Sequence, residues 1–253
     1  MAETSLSTIL VQGVDLCEDV LGKVSFADFT YFEIMGHFPD QSRSRLFDAM
    51  LITLVEHGLT PSAITARLTF LGAPEAVQGA VAAGLLGIGE GFVGTMEGAA
   101  RLLHAHVNPG ADLDEEASVE LAVEIVQACL EQGSAVPGLG HPVHKDGDPR
   151  TAKLFKLASE LGLASNYVQV AAALPDAFAR VKGLRLPLNA TGALGALVCE
   201  MGIPIRLGRG LGLVARAAGL LGHLREELND PIARKSWDLV EAEAETARGR
   251  RVT

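Results

Sequence analysis

Two histidines, a lysine and an arginine lie in one run whose prolines and glycines rule out a continuous helix. It reads Val136-Pro-Gly-Leu-Gly-His-Pro-Val-His-Lys-Asp-Gly-Asp, followed by Pro149 and Arg150. Gly138 and Gly140 let the backbone adopt positive φ and come close to a ligand. His141 follows at once, placed to offer a ring N–H to an oxygen in a closed pocket. Arg150, nine positions on, carries a planar fork that matches a carboxylate. Together they would hold a small, oxygen-rich acid. A plain surface turn would carry the same glycines, so the run must be weighed with the rest of the chain.

Arg216 is informative in its own right. It sits in an apolar, helix-periodic stretch with no acid three or four positions away. A buried arginine is costly unless paired; the alternative is a guanidinium reaching solvent past its apolar stem. His57 and His223 are further candidates, whereas His37, His104 and His106 read as structural. Basic residues cluster locally at Lys145, Arg150, Lys153 and Lys156, and again at Arg180, Lys182 and Arg185. Such clusters suit a polyanionic ligand, and solvated helix faces would look the same.

Elements must position these groups, and the helical period dominates. From Asp40 to His57, apolar residues fall at Leu46, Phe47, Met50, Leu51, Leu54 and Val55, with Asp40 or Ser42 as cap and Gly58 as terminator. Pro74 to His106 reads as a helix pair, or one long helix, broken near 87–94. Ser118 to Gln132 carries one apolar stripe, and Asp148-Pro149 opens a further helix. Residues 165–181, 192–201, 211–229 and 230–246 complete the set. No stretch alternates long enough for a sheet core, so the fold class is all-α.

The chain has 253 residues, enough for a sizeable core, with 48% hydrophobic residues but 5% aromatic and 28 glycines. That balance predicts helices meeting through small side chains. The formal charge of −10 argues against a general nucleic-acid or anionic-membrane binder. Cys17, Cys129 and Cys199 lie too far apart for a zinc or disulfide framework, which favours a reducing, cytoplasmic setting. No metal site is expected. Apolar stretches are too short and glycine-rich to span a bilayer.

The 136–150 run resembles the VPG-x-GH…DPR segment of the citrate synthase superfamily, and four other segments agree in order. Glu56-His-Gly-Leu-Thr-Pro-Ser-Ala-Ile-Thr-Ala-Arg67 is similar to DHGLNASTFAAR. Gly89-Glu-Gly-Phe-Val-Gly-Thr-Met-Glu97 is closer to the GDRFGGALD of the citryl-CoA lyase module of ATP-citrate lyase than to the GPLHGGANE of citrate synthases. Leu188-Asn-Ala-Thr-Gly192 falls where the family has NVDG, and Val214–His223 resembles LGRSMGFIGH.

This resemblance implies a citrate synthase-like helical fold lacking most of the N-terminal region. A large dimerising domain would comprise 1–133 and 190–253, and a small domain, 134–189, would close over coenzyme A. It implies a carbon–carbon lyase that cleaves a 3-hydroxy-3-carboxyacyl-CoA into an acyl-CoA and a 2-oxo acid, with the CoA thioester as substrate and no permanently bound cofactor. His141 would hold the developing carbonyl oxygen. His57, Arg150, Arg216 and His223 would surround the acid. Backbone of Val136, Gly138, Leu139 and Gly140, with Asn189, would hold the adenine end, and Lys145 and Lys182 the phosphates. Homodimerisation through helices near 75–105 and 208–225 is expected. A non-catalytic CoA- or dicarboxylate-binding homologue and a citrate or methylcitrate synthase are the alternatives.

Two departures bear on the chemistry. Phe92 replaces the histidine that hydrogen-bonds the enolate oxygen in citrate synthases, as in the lyase module, which points toward cleavage. Thr191 replaces the family carboxylate, and a threonine hydroxyl cannot act as a carboxylate base near neutral pH. Three readings stay open. A nearby acid has taken over, with Glu90 or Glu97 foremost and Glu56 or His144 behind them; the substrate needs less help; or catalysis has been lost. Glu97 reads equally well as a helix-start cap or salt-bridge partner.

Overall fold

The computed structural model describes residues 2–91, 93–141 and 144–252, with side chains through Arg248. Among these residues the chain is helical apart from a small N-terminal sheet. Strands β1 (Ala2–Thr4), β2 (Ile9–Val11) and β3 (Val14–Asp15) pair antiparallel, with Ala2 opposite Val11 and Leu10 opposite Asp15. Gln12 and Gly13 turn the second hairpin, both at positive φ, the backbone that a two-residue turn between twisted strands demands. Strands of two or three residues leave too little alternation to be seen in sequence.

The helices are α1 (Phe26–Met35), α2 (Gln41–Val55), α3 (Pro61–Gly72), α4 (Val77–Leu86), α5 (Gly94–His106), α6 (Glu115–Glu131), α7 (Pro149–Glu160), α8 (Asn166–Lys182), α9 (Ala190–Glu200), α10 (Ile205–Asn229) and α11 (Ala233–Val252). Their starts are written locally. Asp40 accepts from the Arg43 N–H at 2.8 Å, Thr60 caps α3 ahead of Pro61, Asp114 caps α6 and Asp148 caps α7 ahead of Pro149. The expected helix pair over 74–106 is α4 and α5, interrupted where the sequence carries its glycines.

The chain divides into two compact units. The first comprises Met1–Thr53 and Val93–Arg209, the second Leu54–Phe92 and Gly210–Thr253. Segment 134–189 lies wholly within the first.

In the first unit α6 packs on α8, and α9 is buried against α5, α7 and α8. Along α9, Ala193, Leu194, Ala196, Leu197 and Val198 are fully buried. A Cβ on Gly195 would lie 2.7 Å from the Ala99 Cβ and 2.8 Å from the Met96 carbonyl oxygen. The small side chains foreseen from composition are what let α5 and α9 approach this closely. Tyr31 and Phe47 meet edge to face at 5.3 Å.

In the second unit α3 packs on α4 and α11. Ala66, Phe70, Ala80, Leu220 and Leu224 form its core. Gly219 passes so close to the end of α2 that an added Cβ would lie 1.9 Å from the Val55 carbonyl oxygen. Neither unit contains a described helix long and apolar enough to cross a membrane.

Candidate active site

Within the first unit, residues 138–140 are held against the N-terminus of α9. Gly138 has φ +88°, and a Cβ there would lie 2.4 Å from the Gly192 Cα. The Gly138 carbonyl accepts from the Asn189 N–H at 2.9 Å, and the Gly140 N–H donates to Pro187 O at 2.8 Å. Asn189 works at both ends of its amide. Its Nδ2 donates to Gly140 O at 2.8 Å, while its Oδ1 accepts from the Gly192 N–H and the Thr191 hydroxyl. Val136, Gly138, Leu139, Gly140 and Asn189, expected at the adenine, thus form a loop stapled to a helix start.

His141 leaves this loop half-buried. The His144 N–H donates to its Nδ1 at 2.9 Å, so Nδ1 holds a lone pair and the neutral ring carries its proton on Nε2. Burial, followed by His144, Arg150 and Lys145, lowers its pKa below the ordinary value; only Asp148 pulls it upward. His141 is therefore a neutral N–H donor. The His144 ring lies beside it, with centroids 4.5 Å apart.

Asp148 is buried and takes the Arg150 fork, from Nε at 3.0 Å and Nη2 at 2.8 Å, together with the Arg150 and Ala190 N–H groups. Burial alone would raise its pKa. The bonds from Arg150 and Ala190 outweigh that and bring it down to about 2. Arg150, expected to grip a ligand carboxylate, here holds the carboxylate of its own helix cap.

Thr191 donates to Asn189 Oδ1 at 2.7 Å, and its oxygen lies 2.7 Å from the Thr95 hydroxyl. With its own O–H donated to Asn189, the Thr191 oxygen accepts from the Thr95 hydroxyl. Thr95 lies in the first turn of α5 and Thr191 in that of α9, and Asp148 ties the start of α7 to Ala190. Three helix N-termini, each with partial positive charge, thus meet beside the His141 loop. Glu97 lies outside this centre, held by Arg101 at 3.2 Å and Arg209 at 3.5 Å, as its salt-bridge reading requires.

The second unit builds a different cluster. Arg67 is buried, with Nε 3.2 Å and Nη2 2.9 Å from His223 Nδ1 and Nη1 3.0 Å from Glu227. It also pairs with Glu226. Arginine can only donate, so His223 Nδ1 is unprotonated and its Nε2–H points at Glu56, 3.1 Å away. Glu56 Oε1 accepts in turn from the His57 and Gly58 N–H groups at 2.9 and 2.5 Å. Glu227 also accepts from Ile232 and Ala233 at the start of α11. Burial pushes its carboxyl up, but the bonds from Ala233, Arg67 and Ile232 hold it below the ordinary value. A cavity of about 1130 Å³ opens on this cluster, lined by Glu56, Arg67, His223, Arg225 and Glu226 among others.

The family described as citrate synthase, C-terminal domain, matches residues 20–236. The chain belongs to the citrate synthase family. It is 27% identical over 212 residues to the citrate synthase of Haloferax volcanii, covering 81% of this chain and 52% of that protein. The chain spans about half the length of the curated relatives it matches. Among solved structures, citryl-CoA lyase from Hydrogenobacter thermophilus is similar with a TM-score of 0.81 at 32% identity, covering 91% of this chain and 86% of that one. ATP citrate lyase from Methanosaeta concilii, solved with (3S)-citryl-CoA, has a TM-score of 0.73 at 21% identity, over 90% of this chain and 38% of that one. That last likeness is one of fold.

In this citrate synthase-family chain the remaining candidates are placed as follows. Arg216 is buried on α10, and His57 is exposed two residues past the end of α2. Glu90 is exposed in the turn after α4, while Lys145 is exposed in the bend at 145–146 and Lys182 at the last residue of α8. Phe92 lies outside the described residues. Both nitrogens of His223 are engaged by protein, so it serves its neighbours rather than presenting a vacant N–H. Sequence reasoning passed over the partners Arg67, Thr95 and Glu227. The Asp-Pro pair at 148–149 predicts a helix start, but nothing local signals that Asp148 takes the Arg150 fork.

Proposed function

We propose that this protein is a citryl-CoA lyase-like enzyme, a carbon–carbon lyase that cleaves a 3-hydroxy-3-carboxyacyl-CoA to an acyl-CoA and a 2-oxo acid. The observation that carries the reading is His141, a neutral ring with its proton on Nε2, set where three helix N-termini meet. In the cleavage, a base takes the hydroxyl proton and the C2–C3 bond breaks. Its electron pair passes into the thioester enolate, which then takes a proton on carbon. His141 donates to the oxygen that becomes the keto group. Thr191 supplies no base, because a neutral hydroxyl does not take a proton near neutral pH, and its own O–H donates to Asn189 Oδ1. Glu90 is our candidate base. Arg150, Arg216 and His57 would hold the acid's carboxylates, and Lys145 and Lys182 the phosphates of coenzyme A. The working form would be a homodimer.

Purified protein should release acyl-CoA and keto acid from citryl-CoA with saturable kinetics. His141→Ala should then lose about 10²-fold in rate, the scale of one missing oxyanion donor. A protein that binds CoA thioesters yet leaves citryl-CoA intact would end the substrate assignment. An unimpaired His141→Ala would remove that ring from the mechanism. The engagement of Arg150 by Asp148, and of Thr191 by Asn189, favours a second reading, a CoA- or dicarboxylate-binding homologue without turnover. Running the assay with acetyl-CoA and oxaloacetate tests the condensing direction named for the curated relatives.

A further inference from the structure

We infer that His223 is a positioning residue, the middle link of a relay from Arg67 through Glu56 to the backbone of His57 and Gly58. This rests on the reading above, in which His57 helps to hold the acid.

The links can be followed atom by atom. Arg67, buried on α3, offers two N–H groups to His223 Nδ1 at 3.2 and 2.9 Å. A guanidinium cannot accept, so the ring proton must reside on Nε2. That proton faces Glu56, and Glu56 Oε1 closes on the two N–H groups that follow it. The segment 56–59 leaves α2 and precedes the Thr60 cap of α3, with Gly58 at φ +71°. Glu56 is half exposed, and the buried His223 ring fixes its direction. Arg67 is anchored from the far side by Glu227, itself held by the Ile232 and Ala233 N–H groups. The direction of the relay therefore runs from the α10–α11 turn to the backbone bearing His57. Without the ring, Arg67 loses an acceptor and Glu56 a donor together.

The test compares His223→Leu, which deletes both functions, with His223→Gln, whose amide can accept from Arg67 and donate to Glu56. Amide hydrogen exchange at His57 and Gly58 reads the relay without turnover. Exchange should quicken about tenfold or more in His223→Leu, the scale of one lost hydrogen bond to a charged group, and return to within about threefold in His223→Gln. The affinity for oxaloacetate, by titration calorimetry, should follow the same order. In NMR of the parent protein, the His223 ring nitrogens should show one unprotonated Nδ1 and one protonated Nε2.

Unchanged exchange in a folded His223→Leu overturns the relay, as does an equal loss in both variants. His57→Ala separates this inference from the functional one. If it leaves oxaloacetate affinity intact while His223→Leu still frees the two amides, the relay stands and the acid-holding role of His57 falls.

Discussion

The two units hold their candidate groups by opposite means. In the first, position comes from backbone: Gly138 against Gly192, Asn189 stapling the loop, and three helix starts meeting at Thr95, Asp148 and Ala190. In the second it comes from side chains: Glu227, Arg67, His223 and Glu56 bond in series, the last three lining a cavity. Backbone contact is rigid and tolerates no added atom. A side-chain series is specific in hydrogen-bond direction but can be rebuilt by another residue with donor and acceptor in the same order. The first design should fail on size, the second on hydrogen-bond pattern.

The largest effect tests the size rule. Gly138→Ala must strain a φ of +88° and bring a methyl within 2.4 Å of backbone. No side chain can move aside, so the cost should be about 3 kcal/mol or more in urea denaturation. Gly219→Ala, facing the Val55 carbonyl, should cost a similar amount, which shows that the second unit also has one backbone-limited point. Gly84→Ala is the contrast. Its Cβ would meet the Leu220 Cδ1 at 2.7 Å and the Ala66 Cβ at 3.0 Å, so a leucine rotamer can yield and the loss should stay nearer 1 kcal/mol. Equal losses at Gly138 and Gly84 would remove the distinction.

How much of this was legible follows the same division. A helix start such as Asp148-Pro149 is local chemistry, and long apolar periods marked α2 and α6. The apolar, small-residue pattern of α9 was also readable, since burial on several sides needs no charged face. The N-terminal sheet was invisible because its strands are shorter than one full alternation. Helices α1 and α3 escaped the periodic reading. In α3 the stripe is interrupted by Arg67, whose value depends on Glu227, 160 positions away. No local rule foretells such a partner. The 136–150 motif offered Arg150 as a clamp for a ligand, but the Asp148 grip on Arg150 depends on the Ala190 N–H arriving from another segment.

That grip sets the next test. Asp148 has its folded pKa lowered from 3.8 to about 2. A depressed carboxyl stabilises fully above its unfolded value and loses that contribution as pH falls through the folded one. Asp148 should therefore contribute about 2 kcal/mol above roughly pH 4, fading toward pH 2. Asp148→Asn should lower the Tm at pH 7 and flatten stability between those pH values. If the pH profiles of parent and variant run parallel, the Asp148–Arg150 pair does not hold the start of α7.

Thr191→Asp should disturb stability least and says most about chemistry. Residue 191 is the second of α9, where a carboxylate gains about 0.3–1 kcal/mol from the helix N-terminus. Against that, Asn189 Oδ1 loses the Thr191 proton and faces a charge, so the net change should stay within about 1 kcal/mol. The Thr95 hydroxyl, now 2.7 Å from the Thr191 oxygen, can donate to the new acid. If the first unit still binds CoA thioester and keto acid but lacks a proton carrier, citryl-CoA turnover should rise in this variant. If Glu90 already carries the proton, the added charge should bring no gain, and Glu90→Gln in the parent should abolish turnover. No change from either substitution would count against both assignments of the proton carrier, and against a carboxylate's role in the reaction.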